Sequence, residues 1–354
     1  MSALYASPEA AAPIDESFLP KLGIHRIPVP VPFLEAGGPA NVYVLENAGD
    51  TLTLFDCGIA TDAAKEALNK GLADRGLDRS KIRDIVVSHG HVDHYGNAQD
   101  LAEETGAAVH VHPLDLEKVC GEGRWNKQLE KALPYFLRLG VPRATLDQMM
   151  EISGRIKSYA RQVDPARVKP LADGQRFDFK HFSVDVMHLP GHTPGLVCLH
   201  DAEHKLLFAD DHVLARVSPN PLLDLTVGSG ANKFKSLVAY LKSAQRVAAM
   251  DLDCVLPGHG EGFKNHRPLL EGLFSFYARR QERLIKRLTD APATVFELVT
   301  VVFPRADAPR LYLMLSEVLG NLEVLEDAGK LRRIEDTDVF RFALTEGSRT
   351  SQSQ

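Results

Sequence analysis

Three histidines and an aspartate fall within six positions of the segment SHGHVDHYG: His89, His91, Asp93 and His94. Short tracts this rich in histidine most often bind metal. The segment follows the apolar run IRDIVV, and in an extended loop after a strand, residues two apart face the same side. His89 and His91 would then share one ion, while Asp93 and His94 would lie in the turn entering a helix and serve a second ion. On a solvated helix, the four side chains would instead point in several directions and have no common function.

Further residues of metal-binding type stand at the ends of other strand-like runs. His192 lies in the turn PGHTPG, the pair Asp210 and Asp211 ends KLLFADD, and His259 follows DCVL in LPGHG. Taken singly, each has an ordinary explanation, because turn histidines often only hydrogen-bond and aspartates commonly form turns or cap helices. Loops at strand ends also carry function. The set as a whole therefore predicts a metal site.

The elements that must position these residues form two blocks of interleaved strands and helices. Between the blocks lies a segment of helical character, about 113–165, broken by Gly and Pro. A further helix is predicted over about 232–250. The pattern predicts an α/β (α+β) chain in which two sheets pack together with helices outside. The strand-like runs are 40–46, 51–58, 82–88, 107–113, 181–189, 195–201, 205–211 and 253–258.

The order of the motifs resembles the metallo-β-lactamase fold superfamily of metallohydrolases. HGHVDH is followed by GHTPG, by an aspartate after an apolar strand, and by LPGHG, and the agreement extends over residues 40–260. The resemblance implies an αββα sandwich of two mixed β-sheets with the metal site along one edge, and an aspartate bridging two ions. The implied ligands are His89, His91 and His192 for one ion, and Asp93, His94 and His259 for the other.

The bridging aspartate is where the sequence departs from that family. The usual motif is an apolar strand followed by Gly-Asp, whereas this chain reads LFADDHVL. We prefer Asp211 as the bridge, because a side chain at the glycine position is easier to accommodate than a displaced ligand. Asp210 would then accept a hydrogen bond from the ring N–H of a ligand. For Asp56, in LFDCG, we expect a similar supporting role, with turn capping as the alternative.

The ligand types predict hydrolytic chemistry with two divalent ions per chain. Imidazole and carboxylate suit zinc, which we favour, and also iron or manganese. The expected nucleophile is a hydroxide bridging the ions, since metal binding lowers the pKa of water from about 15.7 towards about 7. The expected catalytic residues are Asp93, which would orient the hydroxide while binding metal, and Asp211.

Two segments outside the core bear on the substrate. The helical insertion 113–165 supplies aromatic side chains, among them Trp125 and Tyr135, that would cap a pocket for an acyl or aromatic group. Alternatively, such residues only dock the insertion onto the body. Arg216, in the loop after Asp211, is expected to hold a phosphate or carboxylate of a small molecule.

The C-terminal segment reads as two helices, 294–304 and 308–330, followed by a hairpin over 331–344. This order resembles the small winged-helix tail of some metallo-β-lactamase-fold hydrolases, a few of which cut RNA. From Ile285 to Gln354, Lys and Arg total 9 while Asp and Glu total 11. Nucleic-acid binding would need a basic face. We therefore interpret the tail as a packing or dimerisation module, with a homodimer as the expected assembly.

Composition and length argue against several classes of protein. The chain has 354 residues, a net charge of −6 and no apolar run near the roughly 20 residues of a membrane span. It shows no secretory signal at its N-terminus, and its four cysteines form no C-x-x-C pair, so we expect reduced thiols in the cytoplasm. The acidic balance gives no general attraction for nucleic acid or anionic membranes. The predicted organisation is a flexible arm 1–20, a catalytic domain 21–267, a C-terminal domain 268–346 and a flexible tail 347–354.

These observations predict a metal-dependent hydrolase of a small ester-like substrate, with an acyl thioester or a lactone preferred. The fold alone does not decide, because thioesterases, lactonases, β-lactamases, phosphodiesterases and nucleases share it. A phosphodiesterase or ribonuclease of the same fold is the alternative enzyme. A metal-holding regulatory protein without hydrolysis is the alternative from another class. An iron-based redox protein normally carries a flavin domain, and nothing in this sequence resembles one.

Overall fold

The computed structural model describes residues 11–33, 37–121, 132–229, 232–304, 310–335 and 338–350. The strands are β1 Ala12–Pro13, β2 Ile24–Val29, β3 Ala40–Glu46, β4 Leu52–Phe55, β5 Ile82–Val86, β6 Ala108–Val111, β7 Val168–Pro170, β8 Arg176–Asp178, β9 Ser183–His188, β10 Val197–Asp201, β11 Leu206–Asp210, β12 Cys254–Pro257, β13 Phe263–Lys264, β14 Leu331–Ile334 and β15 Arg341–Leu344. The helices are α1 Asp62–Ala73, α2 Val92–Tyr95, α3 Ala98–Thr105, α4 Leu116–Cys120, α5 (132–138), α6 Arg143–Lys157, α7 Ser236–Ala248, α8 His266–Leu288, α9 Val295–Val302, α10 Leu311–Asp327 and α11 Glu346–Thr350.

Two mixed β-sheets form the centre of the molecule. One has six strands in the order β2-β3-β4-β5-β6-β7, and the other has seven in the order β1-β13-β12-β11-β10-β9-β8. The sheets pack face to face, with the ring of Phe208 against Tyr43 and Phe55 at centroid distances of 5.3 and 5.9 Å. This confirms the predicted fold class.

Strand β3 shows how the sequence specifies this layering. Its segment ANVYVLE is almost wholly buried, because alternate side chains enter two different cores. Tyr43 and Leu45 pack between the sheets, whereas Val42 and Val44 pack beneath α1. On the far side, α7 and α8 cover the second sheet through side chains such as Tyr240 and Leu273. The layers therefore run helix, sheet, sheet, helix.

Parallel pairing brings the site loops to one edge of the sandwich. Strand β5 runs parallel to β4 in the first sheet, and β11 runs parallel to β12 in the second. The carboxyl ends of parallel neighbours meet at the same edge, and the loops after β5, β11 and β12 begin there. Across this edge the Tyr43 hydroxyl and the Asn41 amide donate to the Pro257 carbonyl at 2.7 and 2.8 Å. These bonds link the two sheets beside the loops.

The N-terminal segment differs from the prediction of a flexible arm. Residues Ala12–Pro13 pair with Phe263–Lys264, the Ile14 amide donates to Gly262 at 3.1 Å, and Leu19 is buried. A strand of two residues has no hydrophobic period, so local sequence gave no signal for it. Residues 1–10 lie outside the described part of the chain. At the other end, residues 347–350 belong to α11, and 351–354 lie outside the description.

The C-terminal segment forms two helices and a hairpin, α9, α10 and β14–β15, in the order predicted from sequence. Its core is shared with the insertion: Leu139 and Leu146 pack with Leu298 and Leu315 in one buried cluster. Helix α8 contributes to both the second sheet and this cluster, so it spans the predicted boundary at residue 267. The likeness to a winged helix stays a prediction.

Among the helices of the described residues, none has the length and hydropathy needed to cross a bilayer. The four cysteines are free thiols, and three of them are buried.

Candidate metal centre

The loop after β5 carries four of the predicted ligands in the expected geometry. His89 and His91 precede α2, and His91 has the extended backbone of its N-cap, with φ −93° and ψ 146°. Asp93 and His94 lie within α2 and are buried. The chain therefore turns sharply after His91, so that the four side chains reach two adjacent groups.

The first group is formed by three histidines from two distant loops. His91 Nδ1 lies 2.9 Å from His89 Nε2 and 2.9 Å from His192 Nε2. Burial and the neighbouring imidazoles hold the pKa of both His89 and His91 well below their ordinary values. Neutral rings present lone pairs, which is the form that binds a metal ion.

The second group combines Asp93, His94 and His259. Asp93 Oδ2 lies 3.5 Å from His259 Nε2 and 3.8 Å from His94 Nε2. Burial acts to raise the pKa of Asp93, but His94 and His259 outweigh it and bring the pKa to about 2. This carboxylate is therefore ionised at neutral pH, as a ligand must be.

Asp211 lies between the two groups. Its Oδ2 is 3.5 Å from His192 Nε2 and 3.6 Å from His94 Nε2, and its Oδ1 is 3.6 Å from His259 Nε2. Burial opposes ionisation, yet His259 and His94 hold the pKa of Asp211 below its ordinary value. An ionised carboxylate that faces both groups has the position of a bridge.

The outer nitrogens of the histidines make hydrogen bonds that turn the opposite nitrogens inward. His94 Nδ1 donates to Asp56 at 2.8 Å, and His259 Nδ1 faces the carbonyls of residues 38 and 39 at 3.1 Å. His192 Nδ1 donates to the Pro219 carbonyl. Such bonds fix the tautomer and direct a lone pair towards the ion. His89 Nδ1 reaches Ser88 Oγ at 2.9 Å.

Several inward atoms are buried without a hydrogen-bond partner. They are His94 Nε2, His259 Nε2 and Asp211 Oδ1. Buried polar atoms are nearly always satisfied, so a group of unsatisfied polar atoms facing one another needs an explanation. Divalent cations would satisfy all three. The donor set, imidazole and carboxylate, fits two such ions.

Asp56 supports this arrangement from outside. Its carboxylate accepts hydrogen bonds from the Ser88 amide and hydroxyl, both at 2.8 Å, as well as from His94. Because Ser88 in turn contacts His89, one carboxylate orients a histidine of each group. These hydrogen bonds favour the supporting role expected for Asp56, which stays a prediction.

Asp210 contacts the rings through their outer nitrogens. Its Oδ1 lies 3.2 Å from His94 Nδ1 and its Oδ2 lies 3.4 Å from His89 Nδ1. Burial and the nearby Asp56 raise the pKa of Asp210 well above its ordinary value. His89, His94 and Asp210 also converge closely enough to suggest a metal group. However, the Nδ1 atoms of these rings already contact Ser88 and Asp56, so we still expect Asp211 to be the bridge.

The backbone explains why glycine would suit position 210. Asp210 has φ +46°, a conformation that glycine adopts freely and other residues rarely do. Gly258 leaves the space that both carboxylates need, because a Cβ there would lie 2.1 Å from Asp210 Oδ1 and 2.4 Å from Asp211 Oδ1. The first glycine of LPGHG thus accommodates the additional aspartate.

Matched substitutions at the two aspartates should separate their roles. We expect Asp210→Asn to lower metal affinity by no more than about tenfold, because asparagine resembles a protonated carboxyl and tolerates positive φ. Asp211→Asn should weaken at least one ion by more than about 100-fold, since it removes a ligand charge. Asp210→Gly should also be milder than Asp211→Ala. Competition with a chelator measures these affinities, and the reverse ranking would identify Asp210 as the bridge.

The structure describes two of the three predicted substrate-binding residues, Tyr135 and Arg216. Trp125 lies outside the described residues. Tyr135 packs in the core shared by the insertion and the tail, with its ring 5.9 Å from that of Phe340. This position agrees with the docking role weighed as the alternative. Arg216 is exposed in the loop after Asp211.

A buried polar group beside the histidines was not predicted from the sequence. Lys118 lies within hydrogen-bond distance of both Asp115 and Asp224, and Asp115 accepts a hydrogen bond from the Gly90 amide in the first histidine loop. They belong to no recognisable motif, and the i,i+3 spacing of Asp115 and Lys118 alone indicates only an ordinary helix pair.

Comparison with known proteins agrees with this geometry. A family model described as the metallo-beta-lactamase superfamily matches residues 36–259. The probable metallo-hydrolase YqjP of Bacillus subtilis is 31% identical over 305 residues, which cover 85% of this chain and 91% of that protein. The acyl-coenzyme A thioesterase MBLAC2 of Gallus gallus is 26% identical over 66% of this chain and 77% of its own length.

Two solved structures extend the similarity to nearly the whole chain. A metallo-beta-lactamase family protein of Thermus thermophilus is 28% identical with a TM-score of 0.76, covering 93% of this chain and all of its own. A beta-lactamase domain protein of Burkholderia ambifaria, 24% identical, has a TM-score of 0.79 and covers 96% of this chain and 99% of its own. The latter shows the same fold, including the region of the C-terminal segment.

Proposed function

The chain belongs to the metallo-beta-lactamase superfamily and is a metallo-hydrolase, and from that premise we propose that it cleaves an acyl thioester or a lactone. The observation that carries the hydrolytic part of the proposal is the position of Asp211, which faces the histidines of both groups. We further propose that the native ions are two zinc ions per chain, with iron or manganese as the alternatives.

The chain's own residues would prepare the site for hydrolysis. His89, His91 and His192 would hold one ion, and Asp93, His94 and His259 the other, with Asp211 shared. Divalent ions held there would lower the pKa of a coordinated water towards about 7 and polarise the bond to be cleaved. Asp93, ionised at neutral pH, can accept a hydrogen bond from that water and orient it.

Two observations favour a small acyl substrate over a polyanion. The similarity to an acyl-coenzyme A thioesterase is low in identity, but that protein's function agrees with a thioester. In α8 and the C-terminal segment, three arginines are paired with acids: Arg280 with Glu317, Arg333 with Glu326 and Arg341 with Glu297. Paired cations contribute little attraction for a polyanion, so the observations favour a small substrate over RNA.

A substrate panel tests this choice. We expect acyl thioesters or lactones to be turned over faster than bis-nitrophenyl phosphate or single-stranded RNA by at least about tenfold in kcat/KM, a transition-state difference of about 1.4 kcal/mol. Trp125→Ala should raise KM by about tenfold and change kcat less, since losing an apolar contact of about 1.5 kcal/mol weakens binding.

Tyr135→Phe is the matched control for that variant. The Tyr135 hydroxyl is buried without a described partner in the core shared with the tail, so its removal should leave KM unchanged. Efficient cleavage of the phosphodiester or RNA, with thioesters and lactones untouched, would replace this proposal by a phosphodiesterase or ribonuclease. Absence of all hydrolysis in metal-loaded protein would favour a metal-holding regulatory protein.

A further inference from the structure

Asp115 is a fully buried carboxylate that bonds to two separate histidine loops. It lies four residues after β6, as the N-cap of α4, and its side chain has no solvent exposure. Its Oδ2 accepts from the Gly90 amide at 2.9 Å and from the Thr193 hydroxyl at 2.6 Å. Its Oδ1 accepts from the Gly195 amide at 3.2 Å. Gly90 separates two of the three histidines of the first group, and Thr193 follows the third.

The loops approach Asp115 so closely that only glycine fits at two positions. A Cβ on Gly195 would lie 2.8 Å from Asp115 Cγ, and a Cβ on Gly90 would lie 2.8 Å from Lys118 Cβ. Real side chains do not tolerate such distances, so HGH and HTPG contain glycine where the carboxylate and its neighbour pack. The contact is therefore built into both motifs.

A buried lysine balances the charge of this carboxylate. Lys118 Nζ lies 3.1 Å from Asp115 Oδ1 and 2.6 Å from Asp224 Oδ2. An unpaired buried charge would be costly, whereas this network leaves none of the three groups unpaired. Asp224 belongs to the loop that follows Asp211, so α4 anchors a third segment beside the site.

We propose that Asp115 is a positioning residue for the three-histidine group, setting the separation of His89 and His91 from His192. Metal sites keep ligand distances within about 0.2 Å, and loops distant in sequence need a common anchor to achieve this. The second group has different supports, since His94 is held by Asp56 and His259 by backbone carbonyls. Loss of Asp115 should therefore lower the affinity for one ion and leave the affinity for the other unchanged. This inference rests on the proposed function in requiring two bound ions.

Asp115→Asn tests the proposal by metal binding rather than turnover. Asparagine keeps the shape but places an NH₂ against the donors that Asp115 accepts from. Titration of metal-free protein with zinc in the presence of a chelator should show one ion weakened by about 10- to 100-fold, the effect of losing a partner outside the ligand sphere. The second ion should bind as in the wild type.

Double variants identify which ion is affected. In a His91→Ala background, where the three-histidine group is already broken, Asp115→Asn should cause no further loss of affinity. In a His259→Ala background, Asp115→Asn should lower the affinity for the remaining ion by the full 10- to 100-fold. Equal weakening of both ions, or weakening only in the His91→Ala background, would overturn the proposal.

Asp201→Asn is a control for a purely structural effect. Asp201 is 1% exposed and also accepts two backbone amide hydrogen bonds, from Glu203 and His204, in the hairpin between β10 and β11. Both variants should lower the thermal stability of the metal-free protein, but only Asp115→Asn should alter metal affinity. Unchanged affinity in Asp115→Asn, with stability lowered as in the control, would show a structural role alone.

Thr193→Val keeps the test decisive if Asp115→Asn does not fold. Valine matches threonine in shape and removes only the 2.6 Å hydrogen bond to Asp115, so a smaller weakening of the same ion is expected. No change in either ion would refute the proposal. A wild-type chain that binds fewer than two ions would refute the proposed function instead, which distinguishes the two failures.

Discussion

Asp211→Ala is expected to abolish hydrolysis and to reduce metal content below two ions per chain. The carboxylate faces His192 on one side and His94 and His259 on the other, so its loss removes a shared ligand and leaves unsatisfied nitrogens. Losing a partner outside the ligand sphere costs about 10- to 100-fold. Loss of a bridging ligand should exceed that range, and we expect kcat/KM to fall by more than about 100-fold.

Elemental analysis and turnover, measured on the same preparations, check this prediction. His91→Ala, which breaks the three-histidine group, should behave similarly, whereas Asp201→Asn should retain both metal and activity. The wild-type protein should contain close to two transition-metal ions per chain. Full activity in protein that contains no transition metal would contradict the metal-dependent mechanism.

Removal of the residues after about 285 is expected to produce a poorly soluble protein or an altered oligomeric state. The deletion would remove the buried side chains of Val295, Leu298, Leu311 and Leu315. It would thereby expose apolar residues that now pack against them, among them Leu146 and Leu284. It would also remove the packing partners of Leu139 in the insertion. Large exposed apolar patches promote association, so the effect should extend beyond the deleted segment. Solubility and size-exclusion chromatography measure it.

Point substitutions give a graded form of the same test. Leu315 is fully buried, and Leu315→Ala should lower the free energy of unfolding by about 2–5 kcal/mol. Leu137, in the insertion, is 38% exposed, and Leu137→Ala should change it by less than about 0.5 kcal/mol. Chemical denaturation distinguishes these values. Tight, strongly salt-dependent RNA binding that disappears on truncation would contradict the packing role and favour a nucleic-acid module.

The shared core revises how the insertion and the C-terminal segment are related. The amide of Phe296 donates to the Leu139 carbonyl at 3.0 Å, and that of Phe340 donates to the Arg138 carbonyl at 2.6 Å. The insertion is therefore held by the C-terminal segment. Substitutions in the C-terminal segment should therefore alter the packing of the insertion through these contacts. A homodimer formed by this segment stays a prediction.

Local sequence was sufficient for the fold and for the loops that carry the candidate ligands. Strand β3 has the bounds that its apolar run predicts, and the loop after β5 turns into a helix where the sequence indicates. Strand periodicity and turn residues act over a few positions, so they can be read without the rest of the chain. The family resemblance added the αββα sandwich, the assignment of His192 to one ion and His259 to the other, and the bridging aspartate.

Tertiary structure alone decided which neighbours each of these side chains meets. Asp210 and Asp211 are indistinguishable as residue types, and their separate positions depend on the positive φ at Asp210 and on the space beside Gly258. No local pattern in the sequence distinguishes Asp115, because its partners lie far along the chain in two other loops. The docking of the insertion onto the C-terminal segment likewise depends on contacts between distant residues. Such contacts leave no short-range period or spacing, since only the folded chain brings their partners together.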